Sequence, residues 1–138
     1  MKPYPVPVTE LDILVDEWLP LPDVAERLGT DVGRVRRLLQ EKKLIGVRHG
    51  ERKIVSVPAR FLLATAAGGW EVVPSLQGTL VLLADAGYTD EESIRWLFTV
   101  DPSLESLGTG PGRPTTPIAA LAAGHKTEVR RRAQAVAF

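Results

Sequence analysis

The sequence predicts a mainly α-helical protein with one small antiparallel β-hairpin, and three observations carry that prediction. From Pro22 to Gln40, apolar residues recur at helical spacing on either side of Gly29. From Ile45 to Val57 the period changes to the alternation of strands. From Leu76 onward, helix-start and helix-stop residues bracket further apolar stretches. Two short helices, a tight turn and a hairpin in that order make a winged helix-turn-helix, followed here by a C-terminal helical bundle that shares its core.

Residues 1–9, with Pro3, Pro5 and Pro7, read as an extended, mobile arm in which Thr9 is accessible to a kinase. Glu10 to Trp18 then sets Leu11, Leu14, Val15 and Trp18 on one helical face, closed by Pro20 and Pro22. The winged helix-turn-helix domain is expected over residues 10–60, with a helical domain over 61–138 packed on it.

Within that unit the first helix runs from about Pro22 to Leu28. Pro22 suits a first-turn position, where its missing N–H is not needed, and Gly29 ends the helix in a left-handed cap. Asp31 or Thr30 caps the next helix by accepting a backbone N–H. Val32, Val35, Leu38 and Leu39 form its apolar stripe, and Gly33, Arg34, Arg36, Arg37 and Gln40 its opposite face. A steep helix crossing needs a small residue at the crossing, a glycine at the turn and branched apolar residues to lock the second helix down. Ala25, Gly29, Val35 and Leu38 supply these at offsets of four, ten and thirteen from the alanine. The polar face is then free to enter a major groove about 12 Å wide, with arginines able to bond guanine and Gln40 able to read adenine.

After Lys42-Lys43-Leu44, Ile45 and Val47 pair with Val55 and Val57 across a turn at His49-Gly50. Arg52 and Lys53 sit near the tip, where phosphate contacts position a protein without reading sequence. The candidate DNA-contacting residues are therefore Arg34, Arg36, Arg37 and Gln40 on the helix, and Lys42, Lys43, Arg48, Arg52 and Lys53 on the following turn and wing.

These residues carry a family resemblance. Leu21-Pro22-Asp23-Val24-Ala25-Glu26-Arg27-Leu28-Gly29, the helix Val35-Arg36-Arg37-Leu38-Leu39 and the Ile45-to-Val57 wing resemble the winged helix-turn-helix of excisionase and MerR-type DNA binders. Further matches are Trp96-Leu97-Phe98, Asp101-Pro102-Ser103-Leu104, Pro117-Ile118-Ala119-Ala120-Leu121 and the Glu128-to-Ala135 helix. With these the chain is similar, from about Trp18 to Phe138, to a small family of actinobacterial DNA-binding proteins. Those proteins join a winged helix-turn-helix to a C-terminal helical domain of unknown role, and the resemblance implies DNA binding without known catalysis. The Trp96-Leu97, Pro102, Leu104 and Pro117-to-Gly124 pattern also resembles the toxin-binding C-terminal domain of certain helix-turn-helix antitoxins. That second likeness covers about thirty residues and implies a protein partner for the C-terminal domain.

Beyond the wing, Pro58 is expected to start a helix through Phe61, Leu62 and Leu63 that Gly68-Gly69 interrupts. Leu76 to Ala86 is an apolar helix stopped by Gly87. Thr89 and Glu92 form a capping box for the helix bearing Ile94, Trp96, Leu97 and Phe98, which assigns Asp90, Glu91 and Glu92 to capping rather than catalysis. Trp96 reads as a core anchor. Leu107 to Thr115 is a Gly- and Pro-rich loop without the lysine-serine or lysine-threonine pair of a phosphate-binding loop. Thr116 and Pro117 start a short helix to Ala123, and Lys126 to Ala137 forms the last one, with Val129, Ala133 and Val136 inward. Its Arg130, Arg131 and Arg132 span most of the circumference and cannot all face one phosphate backbone.

A net charge of zero hides an alternation. Residues 1–33 carry two basic and seven acidic groups, 34–60 nine and two, 61–112 one and seven, and 113–138 five and one. Such a dipolar chain is drawn to a polyanion through one face and repelled through others, which orients the encounter. Cysteine is absent, so disulfides and thiolate metal sites are excluded. His49 and His125 fit no metal-ligand spacing, and no nucleophile elbow or dinucleotide fingerprint occurs. The sequence thus predicts no enzyme, no metal and no cofactor. No apolar run approaches a membrane span and no secretory signal opens the chain, so a cytoplasmic, nucleoid-associated protein is expected. No long heptad follows the wing, which predicts a monomer or weak dimer rather than a coiled-coil dimer.

Overall fold

Trp18 departs from the helical reading first. In the computed structural model, which describes residues 6–107 and 113–136, helix α1 spans Val6–Leu14 and Trp18–Pro20 form strand β1. The helix thus starts and ends four residues earlier than its spacing suggested, and residues 6–9 of the expected arm are helical; residues 1–5 lie outside the described residues. Proline at position 20 disfavours helical backbone at Leu19, which lets the segment extend. The inward stripe becomes Leu11, Val15 and Leu19, all buried.

The winged unit follows as read, with helices α2 (Leu21–Leu28) and α3 (Val32–Gln40) and strands β2 (Val47–His49) and β3 (Ile54–Pro58). The sheet has three strands in the order β1-β3-β2, all antiparallel, with Leu19 opposite Val57 and Val47 opposite Ser56. Ile45 is buried just before β2 rather than within it.

The helix expected from Pro58 is instead a single 3-10 turn, Ala59–Phe61, and a second hairpin of β4 (Leu62–Ala64) and β5 (Trp70–Val72). Local turn chemistry decides this. Gly68 adopts φ 93°, Thr65 N–H donates to the Gly69 carbonyl, and the Thr65 hydroxyl accepts from Gly69 N–H. A β-turn glycine with positive φ closes a hairpin more readily than it continues a helix.

Helices α4 (Leu76–Asp85), α5 (Asp90–Phe98), α6 (Pro117–Ala122) and α7 (Lys126–Ala135) complete the described chain, with a 3-10 segment at Pro102–Leu107. Gly87 and Gly124 stop α4 and α6 with positive φ. Of the Leu107–Thr115 loop, Leu107 ends the 3-10 segment, and residues 108–112 lie outside the described residues, as does Ala137 of the last helix. Helix α4 packs on α7 and α5, and α5 on α1 and α6. One apolar cluster joins Val24, Val35 and Val57 of the winged unit to Leu80, Leu97 and Val129 of the C-terminal helices. Trp96 is only partly buried at its edge, not the central anchor expected. Among the described residues no helix is long and apolar enough to cross a membrane.

The capping box of α5 forms in full: Glu92 N–H donates to the Thr89 hydroxyl at 3.2 Å, and Thr89 N–H to the Glu92 carboxylate at 2.8 Å. That backbone N–H holds the Glu92 carboxyl below its ordinary range. Asp101 is held low by the Ser103 hydroxyl and N–H and by Arg132, and Glu128 by Arg131 and Arg132. Carboxyls depressed on folding contribute stability that is complete above their unfolded pKa and is lost as pH falls through the lowered folded value. Thermal unfolding is therefore expected to move to lower temperature on acidification, and Thr89→Ala to cost ~0.5–2 kcal/mol in urea unfolding near neutral pH. A Thr89→Ala protein as stable as the parent would remove the cap from this account.

Candidate nucleic-acid interface

The geometry of the site begins at Gly29. Its φ of 70° ends α2 and turns the chain so that Thr30 N–H returns to the Ala25 carbonyl at 2.9 Å. Of the two possible caps for α3, Asp31 is used: its carboxylate accepts Arg34 N–H at 2.8 Å. Ala25 and Val35, both buried, set the close crossing of α2 and α3. The Arg34, Arg36, Arg37 and Gln40 side chains are all exposed.

Their positions around the helix differ. At ~100° per residue, Gly33, Arg37 and Gln40 lie within about 60° of one another at the centre of the exposed face. Arg34 and Arg36 lie about 160° apart on its flanks. A helix with this layout offers a glycine, an arginine and a glutamine to a groove floor and one arginine to each wall.

The turn after α3 is strained. Lys42 takes φ 59°, a left-handed conformation usually given to glycine, while Lys43 N–H returns to the Leu38 carbonyl. Leu44 and Ile45, buried in the core, then direct the chain into the wing. Gly46 is required there, since a Cβ would sit 2.7 Å from the Ser56 carbonyl oxygen. At the tip, Gly50 and Lys53 have positive φ, and Arg48 donates to the Lys53 carbonyl at 3.1 Å. Arg48 thus braces the turn that displays Arg52 and Lys53, both exposed.

The ion pairs sort the cations. Lys42 bonds Asp90 at the start of α5 at 3.1 Å and Lys43 approaches Glu41 at 3.3 Å. Arg27, Arg60 and Arg95 pair with Glu17, Asp16 and Glu10. Among the described residues, Arg34, Arg36, Arg37, Arg52 and Lys53 have no carboxylate partner. The same nine sequence candidates therefore divide into five uncompensated cations, a free glutamine, two paired lysines and one bracing arginine.

Two residues of the site were not anticipated in these roles. His49, expected to be a turn residue, lies on β2, stacks on Trp18 with ring centroids 4.5 Å apart, and shares a 2.5 Å hydrogen bond with Asp12 of α1. This fastens the turn end of β2 to the N-terminal helix. Arg27 lies over the Trp70 ring at 4.6 Å, tying α2 to the second hairpin. Neither contact has a local sequence signal, because each partner comes from a distant segment.

Residues 6–62 match the family described as the winged helix-turn-helix domain of the DNA-binding protein Rv2175c, and residues 73–137 match the Rv2175c C-terminal domain of unknown function. The chain is 44% identical over 121 residues to DNA-binding protein Rv2175c of Mycobacterium tuberculosis (strain ATCC 25618 / H37Rv), covering 86% of this chain and 79% of that protein. Its fold is similar to the NMR structure of Rv2175c, with a TM-score of 0.72 at 42% identity, over 88% of this chain and 82% of the other. With a winged helix-turn-helix, a helical C-terminal region and this identity over most of both chains, the protein belongs to the Rv2175c family.

Proposed function

We propose that this protein binds double-stranded DNA, with α3 in the major groove and the wing on the backbone, and acts as a transcriptional regulator or a chromosome-associated protein. The observation that carries the reading is the segregation of charge. Among the described residues the cations of α3 and the wing tip are left without carboxylates, while Arg27, Lys42, Lys43 and Arg60 behind them are paired. A polyanion is bound most strongly where cations need not abandon an existing partner. Its similarity to a protein named as DNA-binding supports the same conclusion.

In this reading Arg37 and Gln40 face base edges, Arg34 and Arg36 meet the two flanking phosphate walls, and Arg52 and Lys53 anchor the wing. Lys42 and Lys43 contribute only after exchanging a carboxylate for a phosphate, and Arg48 acts by holding the wing turn. Residues 10–60 make the contacts and 61–138 stabilise the unit that makes them.

The test is a titration of the full chain with duplex DNA over a range of salt concentrations, comparing the parent with an Arg52→Ala, Lys53→Ala variant. Loss of two phosphate contacts should weaken binding to all sequences alike and flatten the log–log salt slope by nearly two, at ~0.9 per phosphate. An altered sequence preference with an unchanged slope would mean that the wing reads bases. No retention of any duplex by the folded parent would reject DNA binding itself.

A further inference from the structure

Two more cations lack a carboxylate partner among the described residues, and they lie outside the winged unit: Lys126 and Arg130, one turn apart on α7 and both exposed. Their neighbours differ. Arg131 and Arg132 are paired with Glu128, and Arg132 also bonds Asp101 at 2.8 Å. Charge is therefore neutralised around the rest of the helix and retained on the face that looks towards α4.

Between α4 and α7 lies an open groove of about 550 Å³, lined by Lys126, Thr127 and Arg130 on one side and by Ser75, Gln77 and Gly78 on the other. Among the described residues no carboxylate lines it. Its α4 edge touches the winged unit directly: Gln77 Nε2 donates to the carbonyl of Glu41, the residue that caps the end of α3, at 3.2 Å. The groove thus begins where the recognition helix stops.

Resting on the DNA-binding reading above, we infer that this groove is a second phosphate-contacting surface, over which the sugar–phosphate backbone of the same duplex runs past the end of α3. Lys126 and Arg130, ~6 Å apart along the helix, present two charges in series to a serial polyanion, and Ser75, Gln77 and Thr127 add polar groups that can bond phosphate oxygens. A protein partner would need aromatic or large apolar anchors at the centre of such a surface. Among the described residues the lining has no aromatic side chain, and its large apolar side chains are Val81 and Leu82 of α4, the helix that also carries Gln77 and Gly78. The C-terminal region would then extend the DNA footprint as well as support the fold.

The experiment uses the full chain with Lys126→Gln and Arg130→Gln together, on two duplexes: one just long enough for α3 and the wing, and one extended on the α4 side. On the long duplex the variant should show a salt slope shallower by nearly two, at ~0.9 per phosphate, and weaker binding with unchanged sequence preference. On the short duplex it should match the parent, and its thermal unfolding without DNA should match the parent's. Identical slopes and affinities on the long duplex, with the parent binding normally, would overturn this inference and leave the DNA-binding reading standing. Failure of the parent to bind either duplex would remove both. Selective loss of an acidic protein from the variant, with DNA binding intact, would assign the groove to a protein partner instead and also overturn it.

Discussion

Alanine at Arg34, Arg36 and Arg37 together is expected to abolish duplex retention while leaving the protein folded. An arginine paired with a base edge contributes about 1–3 kcal/mol and a charge-assisted bond to phosphate about 1.5–3, so losing three weakens binding by ~3 kcal/mol or more, over a hundredfold. Folding should survive for reasons visible in α3. The three side chains are exposed and have no carboxylate partner among the described residues, Val35 remains as the buried anchor, and the Asp31 cap uses the backbone N–H of Arg34, which alanine retains. Alanine also favours helix more than arginine does. Gel retention and thermal unfolding measured on the same preparation decide the matter: a folded triple variant with parental affinity would remove α3 as the recognition helix. Single substitutions should then separate the roles. Arg37→Ala should relax sequence preference, whereas Arg34→Ala and Arg36→Ala should each weaken all sequences alike.

The largest effect on stability is expected at Phe61. Its ring is fully buried, lies 5.7 Å from that of Phe98 at 51°, and sits where the winged unit passes into the second hairpin. Its carbonyl also accepts Val73 N–H at 2.9 Å. Phe61→Ala should cost ~3–5 kcal/mol, a large share of the 5–15 kcal/mol by which domains of this size are usually stable. Because one core spans both halves, the loss should appear as one earlier transition, with helix content and tryptophan fluorescence falling together. Two separate transitions, with the winged unit outlasting the C-terminal helices, would contradict a shared core. Trp96, which looked like the anchor from sequence, is partly exposed and should cost less when truncated.

Much of the helix-turn-helix is legible in the sequence. Gly29, Asp31, Ala25 and Val35 act within thirteen residues of one another, and the α2 cap, the α3 cap and the crossing all appear where their spacing put them. The same holds for Thr89 with Glu92, and for Gly87 and Gly124 at helix ends. In each case the hydrogen bond or contact that specifies the element lies within a few turns, so the residues that decide it are neighbours in the chain.

What the sequence alone determined was therefore the helix-turn-helix, the wing and the helical character of the C-terminal half. Only the tertiary structure decided that Trp18–Pro20 would be a strand, since its hydrogen-bonding partner is Ser56–Pro58, far along the chain. It also decided which basic residues stay available: Lys42 loses its independence to Asp90, 48 residues away, while Lys126 and Arg130 keep theirs beside α4. A strand needs a partner and an ion pair needs a counter-charge, and when these arrive from distant segments no local pattern records them.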